Sequence, residues 1–322
     1  MRFLIILLAT LLYSSNFSKI IDLYRFKGSD AAAKQMEKLL CSEDYWLKRL
    51  NNENVKWGYY ESAEDLLVCI KSKKILDVLK KQNGSFELLD KIDVLTGLDG
   101  EKEKEGDLRT PIGVYTLKAL INNVDSFYGP FAFVTSYPNM MDRIEDKDGH
   151  GIWIHGMPIH AKRDNNNTKG CIVMNNKMLE NLKKEINYQK TYLLISENTP
   201  LTATKKEIAD ILAFIYKWRK AWRENDFDKY KTFYSKNFRK SNGEDLKEFL
   251  DYKKRVFKNK KHQKVEIYFS DINIIPYQNI ENKKIFRIDM YEKYLSNSYK
   301  FKGKKELYVQ FMPDGLKIIA EK

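Results

Sequence analysis

The sequence predicts a mixed fold in which a mainly-β domain is followed by an α+β domain, with a short helical segment in front of both. Three observations support this prediction. The 322 residues are 43% hydrophobic and 31% charged, which suits a folded chain of about two domains. Short strand-like runs fill residues 62–198. A helix with 3- and 4-residue apolar spacing opens residues 200–322, and more strand-like runs follow it.

The first 18 residues are typical of a secretory signal peptide. Arg2 precedes ten nearly continuous apolar residues, 3–12, and small polar residues come next. Ten helical residues reach about 15 Å, half of a hydrocarbon core roughly 30 Å thick, so a spanning anchor is not expected. We therefore expect export to the periplasm of a Gram-negative cell, and no nucleic-acid partner.

Residues 19–61 are predicted to form the short N-terminal helical segment. Its apolar positions are Met36, Leu39, Leu40 and Trp46. A helix of this kind offers a surface through which two copies of the chain could pair, and the sequence does not decide between a homodimer and a monomer.

The middle domain, residues 62–198, is predicted to contain many strands and few long helices. Asn83-Gly84 is a strong hairpin signal between two of the strands. The predicted strands are 65–70, 75–79, 86–96, 114–117, 131–136, 151–155 and 192–195, with a helix at 178–186.

The last domain, residues 200–322, begins with a helix over 205–225, where Trp218 and Trp222 are expected in the core. Shorter helices are predicted at 228–234 and 243–257. Strands are predicted at 264–274, 284–294, 305–311 and 316–320.

The net charge of +13 belongs almost entirely to this last domain. Residues 201–322 hold 29 Lys+Arg and 17 Asp+Glu, whereas the first 200 residues hold 28 and 27. A basic domain suggests an anionic partner. Either a solvated basic face or a pocket in this domain could bind anionic stem peptides of the cell wall. We expect the solvated face to comprise Lys253, Lys254, Arg255, Lys258, Lys260 and Lys261.

Cys171 and His155 are the candidate catalytic pair. Cys171 follows Gly170, and His155 ends an apolar run. A thiol is nucleophilic as the thiolate, which a histidine can generate by taking the proton. The backbone N–H groups of Gly170 and Cys171 are candidates for an oxyanion hole. Taken alone, the pair is better explained by a buried structural thiol near a loop histidine.

A longer string changes that interpretation. Residues 101–117 read EKEKEGDLRTPIGVYTL, and an HG pair at 155–156 and a GC pair at 170–171 follow. Together they resemble the YkuD-type L,D-transpeptidase catalytic domain over about residues 62–197. The resemblance implies a β-sandwich-like fold in which a cysteine attacks a peptide bond in the stem of peptidoglycan.

The resemblance also implies a role for each matching residue. Cys171 is then the nucleophile and His155 the general base and acid, while the backbone carbonyl of Gly156 orients the imidazole of His155. Residues with a scaffold role are Asp107, Thr110 and Pro111.

The segment around the nucleophile departs from the family pattern. The common string is Ser/Thr-His-Gly-Cys-Ile/Val-Arg, whereas residues 168–173 read TKGCIV, so Lys169 replaces the histidine and Val173 the arginine. The lost arginine favours hydrolysis over transfer. Lys169 keeps a positive charge near the nucleophile, where it can bind a carboxylate or favour the Cys171 thiolate.

TKGCIV and the trailing second domain are similar to the L,D-carboxypeptidases that set cell shape in helical and curved Gram-negative bacteria. That group has an N-terminal helical segment and a C-terminal domain of the nuclear-transport-factor-like fold, a curved sheet closed by helices into a cone. The similarity implies removal of terminal D-Ala from stem tetrapeptides, through a Cys thioester, to leave tripeptides. It implies peptidoglycan stem peptides as substrate and cell-shape proteins as partners.

Two alternatives stay open. One is an L,D-transpeptidase that forms 3–3 cross-links or attaches a protein to peptidoglycan. The other is a non-catalytic wall-binding protein, against which the intact His155, Gly156 and Cys171 argue.

Further side chains are candidates for substrate binding or metal binding. The predicted substrate-binding residues are Lys169, Thr168, Arg163, Trp153 and His160, and the polar loop around Arg163 is either a lid or a solvated loop. The histidines at 150, 155 and 160 lack the spacing and further ligand of a zinc site, so no metal or other cofactor is expected.

Cys41 and Cys69 could form a disulfide in an oxidising compartment. Cys41 lies in a predicted helix and Cys69 in a predicted core strand, so two buried thiols are favoured.

Overall fold

The computed structural model describes residues 2–160, 168–260, 263–278 and 283–322, with side chains from residue 17 onward. Among these residues no helix combines the length and apolar character needed to cross a bilayer. The helices are α1 (Arg2–Leu40), α2 (Glu43–Arg49), α3 (Met140–Ile144), α4 (Asn176–Glu185), α5 (Lys205–Arg223), α6 (Phe227–Lys231) and α7 (Leu246–Asn259).

The strands build two sheets. The first eight-stranded sheet has the order β4-β3-β2-β9-β5-β6-β7-β8, and the second, six-stranded sheet has the order β1-β11-β12-β13-β14-β10. The strands are β1 (Tyr59–Tyr60), β2 (Asp65–Ile70), β3 (Ile75–Gln82), β4 (Ser85–Asp93), β5 (Gly113–Ile121), β6 (Ala132–Thr135), β7 (Trp153–His155), β8 (Ile172–Val173), β9 (Thr191–Ser196), β10 (Tyr234–Lys240), β11 (Glu266–Gln278), β12 (Lys284–Leu295), β13 (Lys300–Met312) and β14 (Gly315–Glu321).

One face of the eight-stranded sheet is covered by a helix. Alternate residues of a strand point to opposite faces, so Leu67 and Cys69 of β2 and Leu193 of β9 share this face. α4 covers them with Leu179 and Leu182, which are fully buried or nearly so. We call this side the helix-covered face.

The other face of the eight-stranded sheet packs against the six-stranded sheet, and we call it the shared face. Leu66 and Val68 of β2 lie in one apolar cluster with Ile275, Tyr277 and Tyr308 of the second sheet. The full burial of β2 follows, because both of its faces are occupied.

A polar link crosses the same interface. The Arg287 guanidinium donates to the Val114 carbonyl oxygen at 2.7 Å and contacts the Asp289 carboxylate at 3.1 Å. The Tyr192 hydroxyl donates to Asp289 at 2.7 Å, and Glu306 lies 3.7 Å from Arg287. The buried guanidinium is therefore matched by two carboxylates and a carbonyl.

The N-terminal helices pack against α5, and so join the domain that contains the six-stranded sheet. Glu37 of α1 pairs with Arg219 at 2.7 Å, and Trp46 of α2 stacks on Tyr216 with ring centroids 5.6 Å apart. β1 then pairs with β11. The predicted helical segment 19–61 is helical only to Arg49, because residues 59–60 are taken into the sheet.

α5 packs on the face of the six-stranded sheet that bears Ile274, Ile288 and Val309. Its first turn is fixed by a capping box between Thr204 and Glu207. The apolar stripe predicted from the spacing is buried, with Trp218 fully enclosed. Trp222 is partly buried and packs against the same core.

The sequence missed β10. Residues 234–240 read YSKNFRK, and the lysines and arginine hide the strand period. Tyr234 and Phe238 point inward, and the strand pairs parallel with β14 at the edge of the sheet. The predicted helix 228–234 is accordingly shorter, ending at Lys231.

Lys253 also departs from the prediction of a solvated basic face. Its ammonium lies 4.6 Å from the ring centroid of Trp222 and 5.2 Å from that of Phe249, inside the cone formed by the helices and the curved sheet. Burial lowers the pKa of Lys253 to about 8, although Glu321 acts in the opposite direction. Lys254, Arg255 and Lys258 are exposed, Lys260 is half-buried, and Lys261 lies outside the described residues.

Candidate active site

The candidate catalytic residues lie on two neighbouring strands at one end of the eight-stranded sheet. β7 and β8 are parallel, with Ile154 opposite Ile172 and His155 opposite Val173. Ile154 and Ile172 point into the helix-covered core. His155 and Cys171 therefore share the other face, one strand apart and two residues out of step, or about 4.8 Å across and 6.6 Å along the strands. This spacing suits an imidazole and a thiol that exchange a proton.

The thiol of Cys171 is held by the start of β7. Its Sγ lies 3.4 Å from the Gly151 carbonyl oxygen and 3.5 Å from the backbone nitrogen of Trp153, which donates to it. A backbone N–H aimed at sulfur stabilises the thiolate. Cys171 is half-buried, so the sulfur can meet a substrate.

His155 is fixed in one orientation. Only 2% of the residue is exposed, and Nδ1 lies 2.8 Å from the Gly156 carbonyl oxygen. A carbonyl only accepts, so Nδ1 carries the hydrogen and Nε2 is the nitrogen that exchanges protons. The Tyr128 ring meets the imidazole edge-on, with centroids 5.0 Å apart. The family resemblance implies this contact with the Gly156 carbonyl.

Gly156 is closely packed against residues that the sequence did not identify. The Gly156 N–H donates to the Tyr128 carbonyl at 3.0 Å. A Cβ added to Gly156 would lie 2.1 Å from Asn176 Oδ1 and 3.1 Å from Pro130, a closer approach than real Cβ atoms make. Only glycine fits, and the carbonyl that orients His155 is thereby fixed in place.

The loop before the nucleophile is organised by Thr168. This residue is buried, and its hydroxyl donates to the Cys171 carbonyl at 2.6 Å and accepts from the Gly170 N–H at 3.0 Å. The Gly170 amide is thus engaged within the loop, which disagrees with its predicted place in an oxyanion hole. Thr168 likewise is a loop-forming residue here rather than a substrate-binding one, because Ser and Thr hydroxyls readily accept from the N–H two residues on. The Cys171 amide remains the proposed oxyanion donor.

The string at 101–117 supports that loop, in line with its expected scaffold role. The Arg109 carbonyl oxygen approaches Gly170 so closely that a Cβ there would lie 2.7 Å away, and Gly170 has φ +113°. The Thr110 hydroxyl accepts from the Gly97 N–H at 2.8 Å. Burial raises the pKa of Asp107, but hydrogen bonds from Lys102 and from backbone amides outweigh it and lower the pKa to about 2.

Val173 occupies the position of the family's arginine. It is fully buried, and it exchanges backbone hydrogen bonds of 2.7 and 2.9 Å with Leu95. The side chain at this position is therefore short and enclosed, and it brings no guanidinium to the face that bears His155 and Cys171.

The remaining predicted substrate-binding residues are spread around the site. Trp153 is half-buried beside Tyr128, with ring centroids 5.1 Å apart, while Lys169 and His160 are exposed. Arg163 and the rest of its loop, 161–167, lie outside the described residues. In the described part of the chain no three His, Cys, Asp or Glu side chains are placed to hold a metal ion.

A buried acidic cluster beneath the 101–117 string is a second feature that the sequence did not reveal. Lys147 Nζ lies 2.8 Å from Glu145, 3.5 Å from Asp142 and 3.6 Å from Glu101. Burial raises the pKa of Glu101 to about 7, with Lys147 acting in the opposite direction. Glu101 accepts from the Ile112 N–H at 2.9 Å, so its charge is coupled to the string.

Cys41 and Cys69 are not joined in a disulfide. Cys69 is buried in the helix-covered core, as predicted, and burial raises its pKa to about 12. Cys41 is half-buried beside the core of the other sheet, less enclosed than predicted.

Two known families match separate parts of the chain. Residues 64–195 match the YkuD family, the L,D-transpeptidase catalytic domain. Residues 210–322 match the family described as the Cds6 C-terminal NTF2-like domain.

Solved structures extend the similarity to nearly the whole chain. Two crystal structures of the helical cell shape determining protein Pgp2 from Campylobacter jejuni, one of them a point mutant, are 37% identical to this chain. They cover 88% of it and 99% of their own chains, with TM-scores of 0.81 and 0.82. Bd1075 of Bdellovibrio bacteriovorus is 25% identical over 84% of this chain and 96% of its own, with a TM-score of 0.65.

A curated relative matches about a third of the chain. YafK of Escherichia coli (strain K12), whose name assigns it to the L,D-transpeptidases, is 29% identical over 114 residues, 35% of this chain. The match spans 43% of YafK, less than half the length of that relative.

Proposed function

This chain belongs to the family of the cell-shape protein Pgp2, and on that premise we propose that it is an exported peptidoglycan L,D-carboxypeptidase that affects cell shape. It removes terminal D-Ala from stem tetrapeptides. The observation that carries the proposal is the arrangement on β7 and β8, where a half-buried thiol faces a histidine oriented by the Gly156 carbonyl.

The first half of the reaction forms a thioester. Nε2 of His155 takes the thiol proton of Cys171, and the sulfur attacks the carbonyl between diaminopimelate and D-Ala. The Cys171 N–H stabilises the oxyanion. The C–N bond then breaks as the His155 imidazolium returns its proton to the amine of D-Ala, which leaves.

The second half decides between hydrolysis and transfer. In hydrolysis, His155 takes a proton from water, the hydroxide attacks the thioester, and the proton returns to the thiol as the tripeptide departs. In transfer, the amine of a second stem attacks instead and a 3–3 cross-link forms. Val173 favours hydrolysis, because no arginine reaches the catalytic face from that position to hold an acceptor strand.

The test is incubation of the purified protein with disaccharide tetrapeptide, followed by mass spectrometry. We expect a tripeptide product and its loss in Cys171→Ala. Cross-linked dimers without tripeptide would establish the transpeptidase alternative. Wild-type protein without any turnover, yet bound to sacculi, would establish the non-catalytic one.

We also propose that the C-terminal domain contributes to holding the enzyme on the wall. The interior of its cone combines the Lys253 ammonium with Lys305, which pairs with Glu321, and with the rings of Trp218 and Trp222. Cationic groups beside aromatic faces suit acidic stem peptides.

Sacculus pull-down at rising salt tests this wall-binding role, since an electrostatic contact weakens with screening. The variant to compare is Lys253→Met, which keeps the apolar stem, with exposed Lys254→Met as the matched control. Deleting residues 200–322 is unsuitable, because it would strip the shared face of the catalytic sheet.

Export and pairing complete the proposal. Export through a cleaved signal at 1–18 predicts a mature N-terminus near residue 19, which intact-mass measurement after periplasmic isolation can check. Pairing of two copies would use the part of α1 that remains after cleavage, where Ile21 and Tyr24, three residues apart on one side of the helix, are exposed. Light scattering of the mature protein distinguishes a dimer from a monomer.

A further inference from the structure

A cleft of 720 Å³ lies between the two domains. The eight-stranded sheet lines it with Thr116, Lys118 and Ser136, and the six-stranded sheet lines it with Tyr291, Lys304 and Lys322. The cleft and the interior of the cone lie on opposite faces of the six-stranded sheet, because Asp289 and Tyr291 alternate along β12 with Ile288, which packs in the core that α5 covers.

The cleft opens on the shared face of the eight-stranded sheet. Thr116 of β5 is opposite Tyr192 of β9, and Tyr192 lies in the apolar cluster between the domains. Leu117 and Leu120 point to the helix-covered face on either side of a bulge. Thr116, and Ala119 inside the bulge, therefore lie on the shared face.

The same face continues to the catalytic residues. Ala119 of β5 is opposite Val134 of β6, and Val134 is opposite Trp153 of β7. Trp153 shares its side of β7 with His155, and Cys171 follows on the next strand. Neighbouring positions on one sheet face thus connect the interdomain cleft to the strand of the nucleophile.

The rim of the cleft is positively charged. Within the described part of the chain, Lys118, Lys304 and Lys322 are exposed and make no ion pair with a carboxylate. Of the acidic side chains of the cleft, Asp289 and Glu306 are matched by Arg287, and Asp271 adds one negative charge against the three lysines. The net field of the rim therefore favours an anionic ligand.

The cleft also offers a flat ring. Tyr291 is half-buried, and the Lys302 ammonium lies 5.6 Å from its ring centroid. An aromatic face next to a cation suits a ligand that combines an apolar ring face with carboxylates. A peptidoglycan strand has this combination, because its glycan chain supplies sugar rings and its stem peptides supply carboxylates.

We propose that the interdomain cleft binds the sugar-linked, acidic part of the peptidoglycan strand that lies beyond the stem being cut at Cys171. The inference rests on the proposed function and deepens it. It makes the substrate a glycan-linked chain that spans both domains rather than a free peptide, with Lys118 and Lys304 contributing one contact from each domain.

The experiment compares two substrates: soluble glycan chains that carry tetrapeptides, and the free tetrapeptide. For Lys118→Glu and Lys304→Glu we expect KM on glycan chains to rise about tenfold, with kcat and free-peptide turnover unchanged within about twofold. The wild-type preference for glycan chains should shrink as salt rises. Lys184→Glu is the matched control, because Lys184 is exposed on α4, over the helix-covered face.

Two outcomes would overturn the proposal. One is an unchanged KM on glycan chains in both variants, and the other is an equal loss on both substrates, which would place the lysines at the scissile peptide itself. Binding of glycan chains to Cys171→Ala, measured by calorimetry with and without the Lys118→Glu change, separates failure of the cleft from failure of the catalytic proposal. Weaker binding after the change supports the cleft even if the wild-type protein has no hydrolase activity, and equal binding refutes it.

Discussion

The Arg287 guanidinium donates a hydrogen bond of 2.7 Å to the carbonyl oxygen of Val114, and so ties the C-terminal sheet to a central strand of the catalytic sheet. Arg287 is buried, and Asp289 beside it is largely so. We expect Arg287→Ala to lower the free energy of unfolding by about 3 kcal/mol, because a largely buried carboxylate loses its partner. Urea denaturation measures the change. Arg239→Ala, at an exposed position, is the control. An equal change in unfolding free energy for the two substitutions would show that the link between Arg287 and Val114 does not stabilise the protein.

Gly156→Ala should inactivate the enzyme without unfolding it. The added methyl would meet Asn176 Oδ1 and Pro130, so the carbonyl that orients His155 must shift. A displacement near 1 Å costs about 100-fold in rate, which turnover of the tetrapeptide would detect. Gly243→Ala has open space around it but a positive φ, so it should lose some stability and keep its kcat.

Thr168→Val tests the loop of the nucleophile. The change is nearly isosteric but removes the acceptor for the Gly170 N–H and the donor to the Cys171 carbonyl. We expect kcat to fall by about 10- to 100-fold, with a loss of about 1–3 kcal/mol in unfolding free energy. Thr168→Ser should restore most of both. A variant that raises KM and leaves kcat intact would instead support a direct substrate-binding role for Thr168.

Glu101 predicts a pH dependence of stability. Its pKa is about 7 in the folded protein because of burial, against about 4.3 in an unfolded chain. The folded state therefore holds the proton more tightly, and this contribution to stability is complete below about pH 4 and is lost as the pH rises through 7. Glu101→Gln keeps the acceptor for the Ile112 amide and removes the titration.

The measurement for Glu101 is the difference in unfolding free energy between Glu101→Gln and wild type at pH 5 and pH 8. The variant should gain up to about 3 kcal/mol relative to wild type over that interval. Glu103→Gln, at an exposed position, should show no such gain. A constant difference for Glu101→Gln would mean that Glu101 stays ionised throughout.

The spacing of apolar residues and the turn-forming residues predicted much of the fold. The Asn83-Gly84 turn joins β3 and β4 with positive φ at both residues, as the hairpin signal predicts. β10 was missed because its inward positions, Tyr234 and Phe238, are separated by three polar or charged residues and so show no two-residue apolar alternation. A local pattern does not report a parallel partner that lies 80 residues away.

The sequence predicted those site residues that lie in recognisable motifs. His155, Gly156 and Cys171 stand in recognisable strings, whereas Asn176 and Glu101 act through contacts that only the folded chain creates. The Gly170 amide was misassigned because a hydroxyl two residues earlier competes for it, and that competition depends on loop geometry rather than composition.

The position of β1 has a consequence for the order in which the chain folds. Tyr59 and Tyr60 pair with residues 273–274, and α1 and α2 dock on α5, so these elements find these partners in the C-terminal domain. Such distant pairings form late, because a long loop must close before they contribute. When only the catalytic sheet has emerged from the ribosome, β1, α1 and α2 therefore still lack their partners β11 and α5.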